Sequence, residues 1–149
     1  MLLIIFSHPF TGNSQTFIGD SPGHLKKKLE KYAEKNAVSY VFTQTDSSIT
    51  MRIQDPRLKP AEFIFLFGQN KCVEEIKLSC DSCVMKYVNE ALLDKSMGWQ
   101  KMNDSSYLAK FSKHRMMTVH VNGNASSLRI RKLYWDKKAY QNIVKSLSL

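Results

Sequence analysis

The sequence predicts an α+β fold built from two α-β-β-β(-α) units, with antiparallel sheets and helices packed on one face. Three observations predict it. Helical spacing of apolar residues begins after Ser21, near Lys71 and after Asp136. Short period-two segments follow each of the first two helical stretches in groups of three, the signature of half-buried strands. The same order then occurs twice along 149 residues, an internal repeat of architecture.

The elements follow in order. Leu2 to Phe6 reads as a short strand, and residues 7–19, rich in Pro, Gly, Ser, Thr and Asn, as a loop. Ser21-Pro22 opens a helix, because proline is pre-organised for the first helical position. Leu25, Leu29, Tyr32 and Ala33 give that helix, at about 22–35, one apolar face, with lysines on the others. Alternation at Val38, Tyr40 and Phe42, then at Ile49, Met51 and Ile53, predicts two strands around an Asp46-Ser47-Ser48 turn. Phe63 to Phe67 is a continuous apolar strand ended by Gly68. A long helix is predicted from near Lys71 to Gly98, its stripe running through Val73, Ile76, Cys80, Cys83, Val84, Tyr87, Val88, Ala91 and Leu92. Strands at about 106–111, 116–121 and 128–134 follow, the last two joined through Asn122-Gly123, a strong turn signal. Asp136 caps a final helix lined by Ala139, Tyr140, Ile143, Val144 and Leu147. The expected organisation is therefore an N-terminal strand and loop (1–20), a first unit (21–84) and a second unit (85–149).

Composition excludes several classes. With 43% hydrophobic residues the chain can bury a core, so it is not a disordered polyelectrolyte. No apolar run approaches the ~20 residues of a membrane helix, so no membrane partner is expected. The first six residues lack the basic start of a secretory signal. Charge is distributed unevenly. The net charge is +9, and residues 105–149 hold 9 basic side chains against the single acid Asp136. Such a local excess attracts phosphate.

Cys72, Cys80 and Cys83 form an odd set of three in a chain with no export signal, which argues for reduced thiols and an intracellular setting, nucleus or cytoplasm. Cys80-x-x-Cys83 admits a zinc site, a redox pair or small core residues. A structural zinc site takes four ligands, and His8, His24, His114 and His120 are scattered without ligand spacing. A catalytic pair follows a strand and opens a helix, whereas this pair falls inside the predicted long helix. Core residues are therefore expected, with no metal and no cofactor. Cys83 beside His114 or His120 could in principle form a nucleophile and base. A cysteine on an apolar stripe is inert, however, and no catalytic residue is assigned.

The second unit resembles a double-stranded RNA-binding domain. Val88-Asn89-Glu90 sits on its opening helix and Gly98-Trp99 follows. Met117 to Gly123 is similar to the family's second strand and turn. Asp136-Lys137-Lys138-Ala139-Tyr140-Gln141-Asn142 is similar to the start of its closing helix. In the first unit, residues 29–36 resemble the opening helix, and 69–76 stand where the closing helix begins. The resemblance implies a non-catalytic, RNA-associated module that reads the shape and phosphates of double-stranded or structured RNA. It places RNA contacts at Lys113, His114 and Arg115, at Arg129 and Arg131, and at Lys137 and Lys138. The sequence departs from the family in several places, among them the first unit's Thr45-Asp46-Ser47-Ser48 loop, which has no histidine and no positive charge. Ser112-Lys113-His114-Arg115 replaces the groove-reading Gly-Pro-x-His loop. Leu133-Tyr134-Trp135 stands where the family has Gly-x-Gly. Gln141 replaces the third lysine of its cluster, and Glu74 and Glu75 follow Lys71 in the first unit. Acids there repel phosphate, so RNA contact is expected from the second unit alone. Degenerate members of such families act as protein-interaction or dimerisation modules, so a protein partner or a homodimer is the alternative.

Overall fold

The computed structural model describes residues 17–123 and 125–147. The strand expected at 2–6 and the loop as far as residue 16 lie outside the described residues. Among the described residues the chain is α+β, with three α-helices and an antiparallel sheet of eight strands.

The first half is α1 (Pro22–Lys35), β1 (Tyr40–Gln44), β2 (Ser48–Ile53), β3 (Glu62–Gly68) and β4 (Lys71–Ser79). The second is α2 (Asp81–Leu93), β5 (Gln100–Asn103), β6 (Ser106–Leu108), β7 (Arg115–His120) and β8 (Ser126–Lys132), and α3 (Lys137–Leu147) follows. Each half is thus one helix and a four-stranded meander. The two meanders join edge to edge through β4 and β8, giving the order β1-β2-β3-β4-β8-β7-β6-β5. The expected boundary between residues 84 and 85 falls inside α2.

Two corrections to the expected elements follow. Residues 71–79 are a strand, not the first half of a long helix. The apolar spacing of Val73, Ile76 and Cys80 mimics a helical stripe because two charged residues, Glu75 and Lys77, occupy the core side of the strand and break its alternation. Each meander therefore has four strands rather than three. The chain turns back between β3 and β4 at Gln69 and Asn70, both with positive φ (50° and 59°), the geometry a two-residue hairpin loop demands. The fourth strand of the second half is β5, paired with β6 through Gln100↔Leu108 and Lys101↔Tyr107.

Register decides which residues share a face. Phe63 and Phe65 lie opposite Lys77 and Glu75, which in turn lie opposite Leu128 and Ile130. Met51 faces Phe63, and Met117 faces Ile130. These side chains join Leu25, Leu29 and Ala33 of α1 and Val84, Tyr87, Val88 and Ala91 of α2 in one core. Burying each large apolar side chain there contributes about 1.5–3 kcal/mol. The N-terminal edge of the described chain is tied to the same place. Gly19 N–H donates to Cys72 O and Cys72 N–H to Asp20 O, both at 2.8 Å, and the Phe17 ring stacks edge-on against Phe65 at 5.2 Å. The intervening residues of the central strands, Ile64, Leu66, Ile76 and Leu78, lie on the opposite face and remain half-buried. Asp55 and Arg57 clamp the loop between β2 and β3, and the guanidinium holds the Asp55 carboxyl down at about 2.

Candidate nucleic-acid interface

The basic residues singled out from the sequence cluster in β7, β8, α3 and the loop before β7, but they separate into three environments. Arg129 and Arg131 pair with Thr118 and Met116 across β7, and with Ile76 and Glu74 across β4. Both therefore project from the face that α1 and α2 leave uncovered. There Arg129 Nε forms an ion pair with Glu74 Oε1 at 3.1 Å, while Arg131 Nη2 lies 3.7 Å from Met116 Sδ.

Arg115 belongs to the other face, since it alternates with Met117, a core residue. It is half-buried, with Nη1 3.9 Å from Met97 Sδ. Burial lowers its pKa, opposed by the negative charges of Glu75 and Asp94. Its guanidinium is thus committed to the electrostatics of the interior. Nothing in the residue pattern signals this, because Arg115 reads as one more cation in a Lys-His-Arg run.

Lys113 and His114 precede it in a short 3-10 turn, Phe111–Lys113. His114 takes a left-handed conformation (φ 49°), and its ring lies 4.8 Å from that of Phe111. Two backbone bonds hold the turn to the sheet, Ala109 N–H to Arg115 O at 3.0 Å and Leu133 N–H to His114 O at 2.8 Å. Phe111 also meets Tyr140 of α3 at 5.5 Å, and Tyr140 meets Trp135 at 6.1 Å. This aromatic chain places the start of α3 beside the Lys113-His114 turn.

The first turn of α3 is capped by Asp136, whose Oδ1 accepts the Ala139 N–H at 2.7 Å. Lys137 and Lys138 are exposed there and α3 has no acid in its first turn. A helix N-terminus already carries positive partial charge, so two added ammonium groups are favourable only opposite an anion or in full solvation. Two further residues extend the patch. Lys132 Nζ lies 5.1 Å above the ring of Tyr134, which is 78% exposed. Both are readable in the sequence, Lys132 as the end of the basic run with Arg129 and Arg131, and Tyr134 as half of the Tyr134-Trp135 pair that follows it. Among the described residues, Lys113, Arg131, Lys132, Lys137 and Lys138 make no ion pair with a carboxylate.

The place in the first half that corresponds to the closing helix, residues 69–76, offers no such cluster, although Lys27, Lys31 and Lys35 of α1 are also exposed without a carboxylate ion pair among the described residues. Lys71 is exposed at the β3–β4 hairpin, but Glu74 is paired to Arg129 and Glu75 is buried on the core face, accepting the Ile18 N–H at 3.0 Å. Burial raises the Glu75 pKa and lowers that of its neighbour Lys77, and the charge of each partly offsets the shift of the other.

The cysteines depart from expectation. Cys80 and Cys83 are joined by a disulfide, and Cys72 alone is free. The pair also straddles the start of a helix rather than lying in its middle: β4 ends at Ser79, Cys80 is the N-cap of α2, and Cys83 lies in the first turn. Cys72 is buried, and the loss of solvent pushes its thiol up to about 12. Among the described residues no group of three or more His, Cys, Asp or Glu side chains is placed to hold a metal ion, and no helix is long and apolar enough to cross a membrane. Comparison with protein-family models, with curated proteins and with solved structures yields no match to this chain.

Proposed function

We propose that the chain is a non-catalytic, RNA-associated binding module that contacts the backbone of duplex or structured RNA through its basic C-terminal half. One observation carries this reading: five cations of that half, Lys113, Arg131, Lys132, Lys137 and Lys138, have no carboxylate ion-pair partner among the described residues. The aromatic chain from Phe111 through Tyr140 to Trp135 links Lys113 and His114 to the two lysines of α3. The resemblance of residues 117–147 to a double-stranded RNA-binding domain supports the same ligand. The set differs from the one read off the sequence, with Arg115 committed to the interior and Arg129 to Glu74. In this reading the two helix-plus-meander halves act as two units, one supplying scaffold and the other phosphate contacts.

Phosphate neutralisation releases condensed counterions, so affinity falls with salt in proportion to the number of contacts. If about five cations engage, raising salt from 50 to 200 mM weakens binding by about two to three orders of magnitude. Titration of a labelled 20-base-pair RNA duplex at those two concentrations tests it. The charge-reversed pair Lys137→Glu/Lys138→Glu is expected to weaken binding and flatten the salt slope. Absence of binding at low salt, or full binding by that variant, overturns the proposal.

A second reading, a protein-interaction or dimerisation adaptor, is favoured by the sheet face that α1 and α2 leave uncovered. Ile64 and Ile76 lie opposite each other there, with Leu66 and Leu78 diagonal to them, between the Arg52–Glu62 and Arg129–Glu74 ion pairs. An apolar centre with a charged rim is how interfaces are built. Light scattering coupled to size exclusion separates a homodimer from a monomer.

A further inference from the structure

Cys80 and Cys83 occupy the turn from a strand into a helix, and their two sulfurs are not equivalent. Cys80 is the N-cap of α2, where its Sγ accepts the Cys83 backbone N–H at 3.3 Å and lies 3.4 Å from Ser82 Oγ. It keeps part of its surface, whereas Cys83 is 6% exposed. The bond between them closes a ring of only four residues. Restricting so short a loop removes little entropy from the unfolded chain, so the bond adds little stability compared with a long-range bridge. The start of α2 has other restraints. Val84 N–H donates to Cys80 O at 2.9 Å, and the Ser126 hydroxyl of β8 donates to the Asp81 carboxylate. The helix therefore keeps its first turn whether or not the sulfurs are joined.

We propose that Cys80–Cys83 is a thiol–disulfide exchange site whose substrates are small thiols and their disulfides. An external thiolate attacks the accessible Cys80 Sγ. The Cys80–Cys83 bond breaks, and the Cys83 sulfur leaves with the electron pair and takes a proton from solvent. A mixed disulfide remains on Cys80. A second external thiolate attacks the external sulfur of that mixed disulfide and expels Cys80 as a thiolate. The protein disulfide has then gained two electrons and become two thiols, and two external thiols have become one external disulfide; the reverse sequence oxidises the pair. The Cys80 thiolate emerges against the Cys83 N–H and the positive end of α2, the environment that makes a cysteine a good leaving group and nucleophile. Cys72 is not a competing partner, being fully buried with a thiol that burial holds protonated.

The full chain is equilibrated in buffers of varied reduced-to-oxidised glutathione ratio, trapped at neutral pH under native conditions with excess maleimide and weighed by mass spectrometry. A single transition is expected in which two labels appear together, Cys72 staying unlabelled until the protein is denatured. Cys83→Ser is expected to accumulate one glutathione adduct on Cys80, at least about ten-fold more than Cys80→Ser accumulates on Cys83, because only the former leaves an accessible sulfur. A pair that stays oxidised at every ratio is a structural bridge, and a pair that stays reduced at every ratio forms no bond. Either result overturns the proposal, as does equal trapping by the two variants.

Discussion

Glu75 and Lys77 are two residues apart on the core side of β4, between Phe65 and Ile130 on one register line and Phe63 and Leu128 on the next. Two ionisable groups in that position are costly unless they compensate each other. The structure shows how they do. Glu75 accepts the Ile18 N–H, the Lys77 ammonium sits 5.0 Å from the Tyr87 ring, and each charge partly offsets the burial of the other. Removing one member takes away the largest opposite charge acting on the other and leaves Glu75 with Arg115 and Lys77 with Glu90. Glu75→Gln, which retains an acceptor for Ile18, and Lys77→Met are each expected to cost about 3 kcal/mol. The double variant should cost less than either alone, about 1 kcal/mol, since neither charge is then left on the core side of β4. Urea denaturation of the four proteins at pH 7 measures the cycle, and strictly additive costs would show that the two groups do not interact.

At the scale of elements, the turn leaving α2 is the most tightly specified. Met97 N–H donates to Asp94 O, Lys110 N–H donates to Met97 O, and Gly98 between them has φ +57°. A Cβ at Gly98 would lie 3.4 Å from Lys110 Cβ. Gly98→Ala is therefore expected to cost about 1–2 kcal/mol through the left-handed backbone alone, read as a lower denaturation midpoint at unchanged slope. This glycine was legible in the sequence as the end of a helical pattern, and so was α1, from Ser21-Pro22 and its leucines. The strands β2 and β3 were legible because their core faces carry only apolar residues. β4 was not, for a physical reason: its core face holds Cys72, Glu75 and Lys77, so polarity no longer reports burial. The misreading propagated. Taking 71–79 as helix placed Cys80 and Cys83 mid-helix and hid the strand-to-helix turn they occupy. In the candidate interface, exposed Lys137 and Lys138 were legible from charge alone. The inward turn of Arg115 was not, because strand phase, set by Met117 in the core, decides it.

Across the whole molecule, the seam between β4 and β8 turns two meanders into one sheet, with six continuous partner positions from Glu74↔Arg131 to Ser79↔Ser126. Charge and cohesion are divided differently. The net charge gathers in the second half, and the Arg129–Glu74 ion pair crosses the seam, so the halves can differ in function while sharing one core. α2 packs against β4 and β8, one strand from each side of the seam, and the core residues of α1 belong to the same cluster. By contrast β1 and β5 are the edges, and α3 has no buried residue. Native-state hydrogen exchange should rank these parts. Amides of β3, β4, β8 and β7 are expected to open only with global unfolding and to lose protection together as denaturant is added. Amides of α3 should exchange at least about 100-fold faster, since its opening exposes little apolar surface. Because the Phe111–Tyr140 contact ties α3 to the turn before β7, Tyr140→Ala should raise exchange in α3 further and leave the four central strands unchanged. Separate protection levels for β1–β4 and β5–β8 would instead show two halves that fold independently across a weak seam.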